Sequence, residues 1–233
     1  MKIIYRISEG GYPKDKPEYI TKINCLKNAL THFDENDFIL IADGISEEFK
    51  SEIKNVYNGK IERVNIGHGA GTFNIALNNI EGLDVNEIVY FLEDDYLHKE
   101  DSQKILESAF ELGMDYVTLY DHPDKYLNPI EGGNPYCEGR AEFTRVYLGQ
   151  NSHFKLTNSS TMTFAAKVKT LKDDQTILRK WTNGTHPHDF QMFQEIIKTG
   201  RRLISPLPGY STHGETRWLT PLTNWENEII WKN

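Results

Sequence analysis

The chain has 233 residues, 38% of them hydrophobic, and a formal charge of −8. That is enough for one large core and too acidic for a nucleic-acid groove, which needs clustered Lys and Arg where these are scattered. No segment approaches the roughly 18 apolar residues of a membrane span and the apolar run after Met1 is too short for a signal peptide, so the composition predicts a soluble, cytoplasmic protein in which Cys25 and Cys137 are reduced thiols.

Residues 2–7 (KIIYRI) and 38–42 (FILIA) are short apolar runs of the kind buried parallel strands show. Between them Ile20, Ile23, Leu26, Leu30 and Phe33 recur at helical spacing over 17–33. The alternation continues with helices near 47–57, 72–80 and 101–113 and strands near 61–66, 88–92 and 115–120. Such a pattern predicts an α/β fold, a mostly parallel central sheet flanked by helices, whose ligands gather at the carboxyl ends of the strands. Past residue 120 comes a Gly/Pro/Asn-containing loop over 121–140, then β-rich segments near 142–149 and 160–166. No low-complexity linker interrupts the chain, so one domain over 1–233 is expected. In the tail after Pro208, Trp218, Trp225 and Trp231 read as packing anchors before sugar-stacking platforms, and Thr223 with Glu226 has the spacing of a capping box for a short last helix.

Four polar motifs fall at predicted strand ends. The run IVYFLEDDYLHKED (88–101) passes from buried-type residues into Glu93, Asp94 and Asp95. Carboxylates so close repel one another, and hard oxygens at a strand end suit Mg²⁺ or Mn²⁺ riding with a substrate phosphate; the alternative is a solvated acidic turn. If repulsion dominates, removing one of them leaves the apo protein as stable or more so. Asp43 closes the second strand. The loop GHGAGTFN (67–74) follows the third strand and opens a helix, so its glycines could let backbone approach a ligand; the spacing is not a dinucleotide fingerprint, and such a loop by itself is more often a tight turn than a phosphate site. In HPHDFQMFQEIIKTGRRLISP (186–206), Phe190, Phe193 and Ile197 mark a helix that Gly200 ends, which places Asp189 in the first turn beside His186 and His188.

In this order of motifs the chain resembles the nucleotide-sugar glycosyltransferases of the GT-A fold, the inverting, family-two type, over roughly residues 1–210. The resemblance implies a single Rossmann-like domain, with a nucleotide-sugar half (1–120), an acceptor half (121–208) and a tail (209–233) closing on the site. It implies that Ser8, Asp43, Gly71 and Asn74 edge the nucleotide and that Asp94 lies near the ribose. Glu93 and Asp95 would stand at the ends of a DxD-like motif binding Mn²⁺ or Mg²⁺ with His213, and Asp189 would be the catalytic base. Two departures are visible: His188-Asp189 replaces the usual acidic pair, and Ser8-Glu9-Gly10-Gly11 replaces a Pro-containing turn. The implied reaction moves a sugar from a nucleotide diphosphate, UDP first, to a glycan or glycolipid hydroxyl. Any contact with a membrane would then run through the acceptor, and Arg201, Arg202 or Arg217 could touch phosphate. Two other readings compete: a metal-dependent hydrolase built on His186, His188, Asp189 and His213, or a nucleotidyltransferase, and a non-catalytic carbohydrate-binding domain.

Overall fold

A computed structural model gives the structure of the protein, with residues 1–229 described. Strands β1 (Lys2–Ser8), β2 (Phe38–Asp43), β3 (Ile61–Val64) and β4 (Ile88–Glu93) alternate with helices α1 (Lys22–His32), α2 (Glu47–Lys54) and α3 (Gly69–Asn78). There follow β5 (Tyr96–His98), α4 (Ser102–Glu111), β6 (Tyr116–Val117), β7 (Cys137–Glu138), β8 (Ala141–Glu142), β9 (Val146–Leu148), β10 (His153–Leu156) and β11 (Phe164–Lys167). Helices α5 (Val168–Asp173), α6 (Gln175–Trp181) and α7 (Asp189–Lys198), then β12 (Leu203–Leu207) and β13 (Ser211–His213), complete the chain.

Nine strands form one sheet in the order β3-β2-β1-β4-β11-β6-β12-β10-β9. Strands β10 and β11 run against the others, so the sheet is mostly parallel. Both faces are covered, which is why β1 buries every residue from Ile3 to Ile7. Ile3, Tyr5 and Ile7 pack with α1, α2 and α4 on one face, and Ile4 with α3, α5, α6 and α7 on the other. Both cysteines are free and buried. No helix of the described residues is long and apolar enough to cross a membrane.

Helix α1 starts later than its apolar spacing suggests, because Thr21 caps it by accepting from the Asn24 N–H. Helices α5 and α6 and the small β5–β13 pair have no counterpart in the expected elements. The tail is seated rather than free. Trp225 is 2% exposed, packs with Ile20, Cys25 and Leu97, and donates to the Thr220 carbonyl at 2.9 Å. Residues 225–228 form turns in place of the expected helix, and it is Asn224, not Thr223, that accepts from the Glu226 N–H. Trp218 lies against His122, and Trp231 lies outside the described residues.

Candidate active site

Register brings the strand-end residues into one row. Ser8 pairs with Asp43 across β1 and β2, and Arg6 with Glu93 across β1 and β4. They edge a cavity of about 410 Å³ whose charged lining is Arg6, Lys14, Lys16 and Lys22 against Asp43, Glu93, Asp94 and Asp95. The wall is therefore formally neutral in a chain of charge −8. Three of the four cations come from residues 14–22, a stretch that none of the four polar motifs includes. The signal was legible as Lys-Asp-Lys-Pro after two glycines on the first strand's exit loop, the edge where ligands of this architecture bind.

The three acidic residues have separate partners. Glu93 pairs with Arg6 at 3.2 Å and accepts from the Thr163 hydroxyl at 3.2 Å. Asp94 accepts from the Ser8 N–H at 2.8 Å and from Lys22 at 3.0 Å; burial nonetheless pushes its carboxyl up, with Asp95 adding to the effect. Asp95, 7% exposed, receives Lys14 at 3.1 Å, Lys16 at 3.0 Å and His213 Nε2 at 3.3 Å, all on Oδ2. Burial works against its charge, yet His213 and the two lysines hold the carboxyl well below the usual range. His213 reaches it because β13 pairs with β5 in a register that sets His213 opposite Tyr96.

Asp95 and His213 are donor types a divalent ion accepts, but the set as arranged does not fit one. Lys14 Nζ also lies 3.0 Å from His213 Nε2, so both donors are already engaged by ammonium. Two unit charges 4 Å apart repel by about 4 kcal/mol at an effective dielectric of about 20, and by twice that when one is divalent. Glu93 faces Arg6 instead, and among the described residues no group of three or more His, Cys, Asp or Glu could hold a metal. The same holds for the histidine cluster: His186 lies against Tyr12 and His188 edge-on to Trp181, while His213 is at Asp95.

The Gly-rich loop is held by its own side chains. Asp43 accepts from the Ile66 N–H at 2.6 Å and the Gly67 N–H at 2.8 Å, and Gly67 has φ +80°, a conformation that favours glycine. His68 caps α3 by accepting from the Gly71 N–H at 3.0 Å, so that donor is spent; a Cβ on Gly71 would come within 2.3 Å of Ile66 and 2.7 Å of His68. Asn74 departs from its expected place. One turn into α3, it bonds Thr182 and Arg179 of the α6 region and does not line the cavity. The arginines depart too: Arg201 binds Asp115, Asp173 and Asp174, Arg202 the Gly113 carbonyl, and Arg217 the Glu131 carbonyl.

Asp189 opens α7, whose Met192, Phe193 and Ile196 are buried. Burial pushes its carboxyl up from 3.8 to about 6, against the pull of the Phe190 N–H at 2.7 Å, and the charge of Glu93 adds to the rise. In the segment before it, His186 lies 4.9 Å from the ring of Tyr12, which lines the cavity. Of the tail, residues 211–213 pair with β5, which sets His213 at Asp95, and Trp225 is buried.

No model of a known protein family matches the chain, and no curated protein matches it. Solved structures do. GalNAc-T7, crystallised with UDP, GalNAc and Mn²⁺, superposes with a TM-score of 0.58 at 11% identity over 94% of this chain and 45% of that one. The fold is of the GT-A type. TarS of S. aureus matches with a TM-score of 0.48 at 16% identity over 88% of this chain and 35% of its own, and A197 from STIV with 0.46 at 15% over 100% and 95%. The chain thus spans under half the length of GalNAc-T7 and of TarS, and at these identities the likeness concerns the GT-A fold alone.

Proposed function

We propose that this protein is a transferase that takes a sugar from a nucleotide diphosphate donor and delivers it, with inversion, to a hydroxyl of a glycan or glycolipid acceptor. One observation carries the reading: a cavity at the strand ends of a GT-A fold, lined by four cations and four carboxylates, with His186 against its Tyr12 wall in the segment leading to a half-buried carboxyl, Asp189, whose pKa of about 6 suits proton transfer near neutral pH. UDP is the first candidate nucleotide, being the one bound in GalNAc-T7. Asp43 and the loop it fixes would border the base, Asp94 the ribose, and the lysines the diphosphate.

The chemistry is a single displacement. The acceptor oxygen attacks the anomeric carbon, its proton passes to Asp189, and the bond to the diphosphate oxygen breaks with the negative charge leaving on the diphosphate. A second reading, nucleotidyl transfer, is favoured by the three lysines, which also suit a triphosphate. Titrating nucleoside diphosphates and triphosphates separates the two by preference.

Asp189→Asn tests the base. Transfer should fall by about 100-fold or more while nucleotide affinity holds, and the wild-type rate should drop below pH 6, where Asp189 takes up its proton. The folded pKa lies above the unfolded one, so the folded state binds more proton between about 4 and 6, and stability falls as pH rises through that window. The Asn variant should therefore be more stable near pH 8, by about 1–3 kcal/mol. Unchanged transfer, or product of retained configuration, would remove Asp189 from this role.

A further inference from the structure

Residues 9–21 join β1 to α1 with no helix or strand of their own, and a loop of that length in a compact domain is commonly functional. It presents Lys14 and Lys16, side chains 31% and 24% exposed, to a single oxygen, Asp95 Oδ2, at 3.1 and 3.0 Å. Lys22 differs. It stands on the first turn of α1 and is fixed by the Ser8 and Gly10 carbonyls as well as Asp94. Lys14 and Lys16 thus combine long flexible stems, an irregular backbone and a shared anchor that is strongly ionised.

Both line the cavity. Without them a bound diphosphate would meet three carboxylates at the end of β4 with only Arg6 and Lys22 to offset them, and Arg6 is already committed to Glu93 and to the Gly69 and Met162 carbonyls. With them, two ammonium groups stand where a cation bridging Asp95 and a phosphate would have to stand. Ammonium donates hydrogen bonds to phosphate and carboxylate alike, so each lysine can keep Asp95 on one side and take a phosphate oxygen on the other.

We propose that Lys14 and Lys16 supply the counter-charge for the nucleotide diphosphate that a divalent cation would otherwise supply, with Asp95 and His213 as their anchor, so that diphosphate binding needs no metal. The inference rests on the nucleotide-binding reading of the cavity.

The experiment is calorimetric titration of UDP, GDP, CDP and dTDP into the full chain, in EDTA and again in Mn²⁺, for the wild type and for Lys14→Gln/Lys16→Gln. The preferred diphosphate should bind in EDTA within about threefold of its affinity in Mn²⁺, and the double variant should lose about 30-fold or more, as expected for two lost charge-assisted hydrogen bonds. Lys14→Arg/Lys16→Arg, which keeps both charges, should retain most of the binding and shows that the loss is not one of folding. A parallel readout needs no nucleotide: the Gln variant, with Asp95 and His213 vacated, should bind Mn²⁺ by electron paramagnetic resonance more tightly than the wild type. Binding that appears only with Mn²⁺, or binding in EDTA untouched by the Gln substitutions, would overturn the inference and leave the transferase reading standing. Failure of every diphosphate in both conditions would overturn both.

Discussion

The two sides of the sheet edge hold their charges in opposite ways. On the β1–β4 side, Lys14 and Lys16 reach Asp95 from an irregular loop and stay partly exposed beside a cavity. On the β9–β12 side, Lys155 is 3% exposed and locked between Asp121 at 2.8 Å and Glu142 at 3.4 Å, while Lys125, 2% exposed, donates to the Ser159 hydroxyl at 2.7 Å and pairs with Asp124. The first arrangement lets charges exchange partners. The second ties the loop carrying Asp121 and Asp124 and the short strand carrying Glu142 to β10 and Ser159, and burying an ion in this way is tolerable only when partners and hydrogen bonds are complete. Charges of one kind serve a ligand, and of the other kind a fold.

Breaking the second arrangement should give the largest effect. Lys155→Met leaves Asp121 and Glu142 buried without their cation, and we expect a loss of about 3–5 kcal/mol, the cost typical of removing one partner from a buried pair. Chemical denaturation measures it. A loss below about 1 kcal/mol would mean that water reaches these carboxylates and that the contrast between the two sides is false.

The same contrast governs what the sequence made legible. Strands β1, β2 and β4, mostly apolar because both faces are covered, announced themselves, and with them Asp43 and the run from Glu93 to Asp95 at their ends. Alternation then sufficed to predict an α/β sheet with ligands at that edge. His213 and Asp95 meet through a three-residue strand pair too short to leave a period. Lys14 and Lys16 escaped because a loop has no period at all, and a cation in a Gly/Pro stretch looks like any surface lysine. The acceptor side was opaque for a further reason: a buried Lys155 between two acids has the same composition as a solvated charge run, and only tertiary contact tells them apart. Asn74 illustrates the converse error, since a polar residue early in a helix that follows a glycine loop reads as a ligand contact until α6 is known to lie beside it.

A smaller effect is expected at Asp95, where the structure reverses the argument from crowding. Three carboxylates in a row suggest relief on removing one, but Lys14, Lys16 and His213 converge on this one, and its carboxyl is held well below the usual range. A depressed folded pKa contributes stability above the unfolded pKa and loses it as pH falls through the folded one. Asp95→Asn should therefore cost about 1–2 kcal/mol at pH 7, with the gap to wild type closing in acid. Melting temperatures of both proteins between pH 7 and pH 3 would show it. An Asn variant more stable than wild type at pH 7 would mean that repulsion from Glu93 and Asp94 outweighs the lysines, and the exchangeable charge on this side would lose its anchor.

The smallest effect separates helix packing from ligand contact on α3. The Asn74 amide donates to the Thr182 carbonyl at 3.0 Å and the Ala70 carbonyl at 3.1 Å, and its oxygen accepts from Arg179 at 3.1 Å. Asn74→Ala removes these bonds, each worth about 0.5 kcal/mol net in a partly buried setting where water can replace the lost partner. Arg179 keeps its bond to Asn78, and alanine in a helix interior returns roughly half a kcal/mol through its better propensity. The net loss should thus be about 1 kcal/mol or less, with nucleotide affinity unchanged because the side chain points to α6 and away from the cavity. A stability change of this size with intact binding assigns Asn74 to the frame. A fall in nucleotide affinity of about tenfold at unchanged stability would instead carry the ligand past the His68 cap and along α3, and the boundary drawn here between exchangeable and structural contacts would have to move with it.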